Sequence, residues 1–169
     1  MQELVSLQNE INLGSDTFTK GFIEQPTVEQ CVDTLTKFKR VMQEYGITEK
    51  SRIKAVATNA MKEATNREAV LDRLYSTTGI DIEVIDDSEV SRYTYLSIRH
   101  LLDQNPSLMK KEILAVEVSG GATELIHILQ GRLIAAGVYR LGSIRLREML
   151  ESRVVADSQL YEAMEKHIR

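Results

Sequence analysis

The chain has little cysteine, no long apolar run and no cluster of basic residues, and each shortage excludes a class of protein. Its single cysteine, Cys31, rules out an intrachain disulfide and points to a reducing compartment. No apolar stretch approaches the roughly 18 residues needed to span a bilayer. The N-terminus lacks the basic region and apolar core of a signal peptide. The expected location is therefore the cytoplasm, with no membrane partner. Lys and Arg are scattered and the net charge is −4, so there is no electrostatic footprint for nucleic acid. An acidic chain still binds a polyanion where backbone N–H groups and a metal act locally. There is no internal repeat and no low-complexity segment. What remains is 169 residues, 43% hydrophobic and 27% charged, enough for one good core or two small ones.

The pattern along the chain is first α/β. Ile11 and Leu13 alternate with polar residues, which predicts a short strand in 1–13, broken by Gly14-Ser15-Asp16. Gly21 to Pro26 reads as a loop. A helix follows Pro26, with Thr27 and Gln30 as a capping box. Its apolar face carries Val28, Cys31, Val32, Leu35, Phe38, Met42 and Tyr45, and Gly46 stops it. Arg52 to Thr58 alternates as a strand. Thr65 and Glu68 form a second capping box for a helix burying Val70, Leu71 and Leu74 and ending at Gly79. Ile80 to Ile85 is the next strand. Strand, helix, strand, helix, strand is the alternation of parallel α/β pairing.

The pattern then changes. Asp86-Asp87-Ser88 is a turn and a helix N-terminus, and Tyr93, Leu96, Leu101 and Leu102 carry the helix to about Asp103, closed by Asn105-Pro106. Ile113–Val118, Thr123–Leu129 and Arg132–Tyr139 read as strands joined by tight turns at Ser119–Ala122 and Gln130-Gly131. They predict an antiparallel meander. Gly142-Ser143 opens a helix with Ile144, Leu146 and Leu150 apolar, and a last helix begins near Asp157 or Ser158. A domain junction is expected near Ser88, giving 1–87 and 88–169.

One segment stands out for chemistry. In Leu114-Ala-Val-Glu-Val-Ser-Gly-Gly-Ala-Thr-Glu-Leu125 an apolar strand enters a glycine turn and returns. Glycines there permit positive φ and an anion nest of N–H groups, and the Thr123 hydroxyl adds a donor. Glu117 and Glu124 flank the turn. Carboxylates repel phosphate directly, but they make sense with a divalent metal between. The same residues equally make an ordinary hairpin turn with two solvated glutamates, and the local pattern does not choose. His100, His127 and His167 lack metal-ligand spacing. Cys31 reads as core, and Tyr93 and Tyr95 as packing residues.

That segment resembles the second phosphate loop of the exopolyphosphatase/guanosine pentaphosphate phosphohydrolase family, I-D-I-G-G-G-S-T-E-L. Other stretches match in order: Ala55–Ala64 resembles A-V-A-T-S-A-x-R-E-A, and Gly79–Ile85 resembles G-I-x-I-E-V-I. Glu89–Leu96 resembles E-E-A-R-L-x-Y-L, and Leu141–Leu146 resembles L-G-A-V-R-L. The resemblance runs from about Ile11 to the end. It implies an α/β, actin-like (ribonuclease-H-like) fold in parts of two domains flanking a cleft. It implies a hydrolase removing terminal phosphate from polyphosphate or guanosine pentaphosphate with Mg2+. By the resemblance, Ser119, Gly120, Gly121, Ala122 and Thr123 hold phosphate, and Glu117 and Glu124 the metal. A homodimer is compatible with it.

The departures are specific. No D-x-G-S-N-S first phosphate loop is found, so the chain is expected to begin after that hairpin and to end before the second domain is complete. In E-E-A-R the second Glu is the proposed general base. Here Glu89 holds the first position and Val90 the second, and valine accepts no proton. Glu89 is thus only a weak catalytic candidate. Glu117 replaces Asp, Ser119 replaces Gly at about 1 kcal/mol if positive φ is needed, and Lys62 replaces an Arg and loses its fork. Weak or absent turnover is expected. The alternatives are a non-catalytic phosphate-binding or regulatory module, or a portion of a competent enzyme.

Overall fold

The computed structural model describes residues 5–152 and Glu165. The chain divides into two compact units, Met1–Val84 and Ile85–Arg169. No helix among the described residues is long and apolar enough to cross a membrane.

In the first unit the order is α1 (Leu13–Lys20), α2 (Gln25–Glu44), a 3-10 turn (Lys50–Arg52), β1 (Ala55–Ala57), α3 (Asn59–Glu63), α4 (Arg67–Thr78) and β2 (Ile82–Val84). β1 and β2 pair in parallel, Ala55 opposite Ile82 and Ala57 opposite Val84. The apolar stripe of α2 meets α4 around Val28, Cys31, Val32, Val70 and Leu74, with Ile23, Met61 and Ala64 completing the core. Tyr45, expected on that stripe, lies past the helix end and is exposed.

Three local expectations fail here, for one physical reason: tertiary partners outcompete local caps. Gly14-Ser15-Asp16 is not a break but part of α1, and no strand forms among residues 5–12. Asp16 is buried and accepts the Glu24 N–H at 3.1 Å through Oδ2, while Lys20 Nζ lies 3.4 Å from Oδ1. Burial raises the Asp16 pKa, but hydrogen bonds from Thr27, the Glu24 backbone and Lys20 outweigh it and hold the carboxyl below the usual range. Thr27 therefore serves Asp16, not a capping box. α2 begins earlier, at Gln25, with Pro26 in its first turn. Likewise α4 begins at Arg67 and makes no Thr65–Glu68 box. Thr65 donates its N–H and its hydroxyl to the Gly21 carbonyl at 2.9 and 3.0 Å. Asn66 clamps Ile23 in both directions, accepting its N–H at 3.0 Å and donating to its carbonyl at 2.8 Å.

In the second unit the order is α5 (Asp87–Asp103), β3 (Glu112–Val118), β4 (Thr123–Leu129), β5 (Arg132–Tyr139) and α6 (Ser143–Ser152). The helix expected near Asp157 lies outside the described residues. α5 starts where its local signal puts it: the Asp86 carboxylate accepts the Glu89 N–H at 2.9 Å. The three strands form the antiparallel meander β3-β4-β5. Gln130 (φ 49°) and Gly131 (φ 73°) are both left-handed, as a two-residue hairpin turn matching the strand twist requires. α5 covers one face of the sheet. Leu102, Ile98 and Tyr95 pack on Ile126 and Ile128, and the Tyr95 hydroxyl donates to the Gly131 carbonyl at 2.9 Å. On the other face Leu114, Val116 and Val118 are exposed.

Candidate phosphate and metal site

The strand register brings the two flanking carboxylates together. Glu117 on β3 lies directly opposite Glu124 on β4. Opposed residues of an antiparallel pair project to the same face, and like charges so placed repel. Here the face is the one that α5 covers. Glu124 is only 5% exposed, and its Oε1 has no hydrogen-bond partner among the described residues. A buried carboxylate oxygen without a partner is costly. Glu117 is exposed at the sheet's edge, where the Thr94 hydroxyl of α5 lies 3.4 Å from Oε2. Two carboxylates, one with an orphaned oxygen, suit a hard divalent cation such as Mg2+. That ion characteristically takes one or two protein carboxylates and completes its shell with water and phosphate oxygens. No group of three or more His, Cys, Asp or Glu suited to a metal exists among the described residues.

The glycine turn is built differently from a nest. Neither Gly120 nor Gly121 has positive φ, and neither does Ser119, so serine carries no left-handed strain there. The Ser119 N–H is spent on the Ala122 carbonyl at 2.9 Å. Its hydroxyl donates to the same carbonyl and accepts the Ala122 N–H, at 3.0 and 3.2 Å. The Thr123 hydroxyl donates to the Leu141 carbonyl and is a brace, not a donor offered outward. Of the five expected phosphate-binding residues, only Gly120 and Gly121 keep backbone N–H groups without a protein partner among the described residues.

The carbonyls of Ser119, Gly120 and Gly121 are taken by the first turn of α6. Ser143 N–H donates to Ser119 O at 2.9 Å, and Ile144 and Arg145 N–H both donate to Gly120 O at 3.0 and 3.2 Å. Arg145 Nε donates to Gly121 O at 3.1 Å. In a planar trans peptide the N–H points opposite to the C=O. With the Ser119 and Gly120 carbonyls aimed at α6, the Gly120 and Gly121 N–H groups face away from it. Gly142 permits this approach: a Cβ there would lie 2.2 Å from Gly120 O. Gly120 likewise has no room, since its Cβ would meet Ile144 Cδ1 at 2.7 Å. Gly142 and Arg145 were not singled out from sequence, although both lie in the Leu141–Leu146 motif that marked the resemblance.

The remaining candidates sit on the first turn of α5. Val90 lies one helical turn before Thr94 and so shares the stripe of α5 that touches Glu117. Glu89 is rotated about 100° around the helix from Val90. Among the described residues Glu89 makes its hydrogen bond to Asp86 and none to the turn or to Glu117.

Known proteins are similar to this chain in sequence and fold. Exopolyphosphatase 1 of Mycobacterium leprae is 29% identical over 135 residues, which are 79% of this chain and 38% of that protein. The crystal structure of an exopolyphosphatase from Cytophaga hutchinsonii matches with TM-score 0.70 and 28% identity, over 85% of this chain and 45% of the other. Retrograde regulation protein 2 of Saccharomyces cerevisiae is 24% identical over 123 residues, 71% of this chain and 19% of the relative. The chain spans less than half the length of each of these proteins. The fold is the α/β, actin-like one expected. The model of the Ppx/GppA phosphatase family matches residues 1–169, and the chain belongs to that family.

Proposed function

We propose that the second unit carries the phosphate-and-metal half of a site for hydrolysing a terminal phosphoanhydride, with polyphosphate or guanosine pentaphosphate as the substrate class. The observation that carries this is the buried Glu124, with its unpartnered Oε1, directly opposite Glu117 at the foot of a turn in which two N–H groups have no partner among the described residues. Gly120 and Gly121 would donate to the oxygens of the terminal phosphate. Glu117 and Glu124 would hold Mg2+, which supplies charge neutralisation at the phosphate oxygens. Thr94 orients Glu117. The two units belong, on this reading, to the first and second domains of the family fold. The protein works in the cytoplasm, where Cys31 stays reduced.

Hydrolysis needs a water to lose a proton as it attacks phosphorus, and Val90 takes none. The chain is therefore expected to bind phosphate with magnesium but turn over negligibly. The second reading, a regulatory module that keeps the site for a phosphorylated ligand, is favoured by Val90 and by the yeast relative's name as a regulation protein. Titration with Mn2+, followed by electron paramagnetic resonance with and without inorganic phosphate, tests the site. Binding lost on Glu124→Gln supports it, and undiminished binding in that variant refutes it. A malachite-green assay with long-chain polyphosphate checks the expected lack of turnover, and release at an enzyme's rate would overturn the placing of Val90 at the base position.

A further inference from the structure

The turn that receives phosphate in the proposed site is not self-supporting. Its three successive peptide planes, 119–120, 120–121 and 121–122, each have their carbonyl held by a donor from Ser143, Ile144 or Arg145. The first two carbonyls are held by backbone N–H groups, which any residues but proline would supply. The third is held by a side chain, the Arg145 guanidinium, and among the described residues it alone holds the Gly121 carbonyl. That peptide also carries the Ala122 N–H, which Ser119 Oγ accepts at 3.2 Å. Because Gly120 and Gly121 carry no side chain to restrict them, their peptides have wide rotational freedom unless something outside the turn fixes them.

Resting on the proposed site, we infer that Arg145 is a positioning residue. It clamps the 121–122 peptide from the carbonyl side and so closes the turn behind the two peptides, held by the α6 backbone, whose Gly120 and Gly121 N–H groups face a phosphate. It acts through the turn and need not touch the ligand. Its charge-assisted bond is stronger than a neutral one, and the Arg145 backbone N–H holds the neighbouring Gly120 carbonyl at 3.2 Å. Donors held in advance spare a ligand the cost of ordering them.

Amide NMR on the chain, with inorganic phosphate and Mg2+ as the probe, tests the assignment. Arg145→Met keeps the length and the apolar stem but removes the donor. In the ligand-free protein it should shift the Gly121 and Ala122 amide signals while leaving those of β4 around Ile126 in place. Phosphate affinity should fall roughly 5–20-fold, the range expected when one charged hydrogen bond is lost in part. Arg145→Lys, which keeps a donor and the charge, should recover most of that loss. Ligand-free Gly121 and Ala122 signals unmoved by Arg145→Met would overturn the clamp, whatever phosphate does. So would wild-type affinity in that variant. If phosphate moves neither glycine signal in the wild-type chain, the phosphate site itself is wrong, and the ligand-free comparison still decides whether Arg145 holds the turn.

Discussion

Substituting Gly142 by alanine tests the contact on which the site geometry depends. The added Cβ would stand 2.2 Å from Gly120 O and 2.4 Å from the carbonyl carbons of Gly120 and Gly121. All three are backbone atoms, so no side chain can swing aside. Either the turn and α6 separate or both backbones distort. Separation sacrifices the bonds from Ser143, Ile144 and the Arg145 backbone and side chain to the turn carbonyls. At about 1 kcal/mol net for each such bond, offset in part by water, separation costs roughly 2–4 kcal/mol. Overpacking without separation costs about 1–3 kcal/mol. Both routes give a loss of order 2–3 kcal/mol, opposite in sign to the gain of about 0.4–1 kcal/mol that Gly→Ala gives at open, compatible positions. Urea unfolding followed by circular dichroism measures it. Gly46→Ala is a poor control because its φ is 70°, so Ser143→Ala, whose hydroxyl makes only a long 3.4 Å bond to Ser119 O, serves instead. A Gly142→Ala midpoint indistinguishable from that of Ser143→Ala would refute the close docking of α6 on the turn.

Other outcomes follow from the same structure. Asp16 has a folded pKa below its ordinary 3.8, so its contribution to stability is full above that value and disappears as pH falls through the lowered one. Asp16→Asn should therefore lose stability at pH 7 and show a flatter decline below about pH 4 than the wild type, in urea titrations run across that range. Burial pushes the Cys31 thiol up to about 11. Iodoacetamide at pH 8 should label it far more slowly in the native chain than in urea, and equal rates would contradict its burial. When the chain is joined to the remaining parts of the fold from a relative, Val90→Glu should raise phosphate release by about 10²-fold or more and Glu89→Ala should change it little. Loss of activity on Glu89→Ala would reassign the base.

Much of the second unit was legible because its signals are local. The apolar, strand-forming runs Thr123–Leu129 and Arg132–Tyr139, and the Gln130-Gly131 pair between them, suffice to place β4, β5 and their turn. Asp86 caps α5 because its acceptor and the Glu89 N–H are three residues apart, and nothing else competes for them. The first unit shows the opposite case. Asp16, Thr27, Thr65 and Asn66 carry the residue types of breakers and caps, yet each is claimed by a tertiary partner, so α1, α2 and α4 begin where the sequence pattern does not put them. The five-residue α3 is too short to display a helical period at all. In the site, the composition of the turn and its two carboxylates was readable, but its function-bearing geometry was not. Positive φ at the glycines was the local expectation. Instead, a helix whose first residue lies 24 positions after Ser119 takes the turn's carbonyls and so turns its N–H groups outward. A hydrogen bond's direction depends on where both partners stand, and sequence spacing alone gives the position of neither.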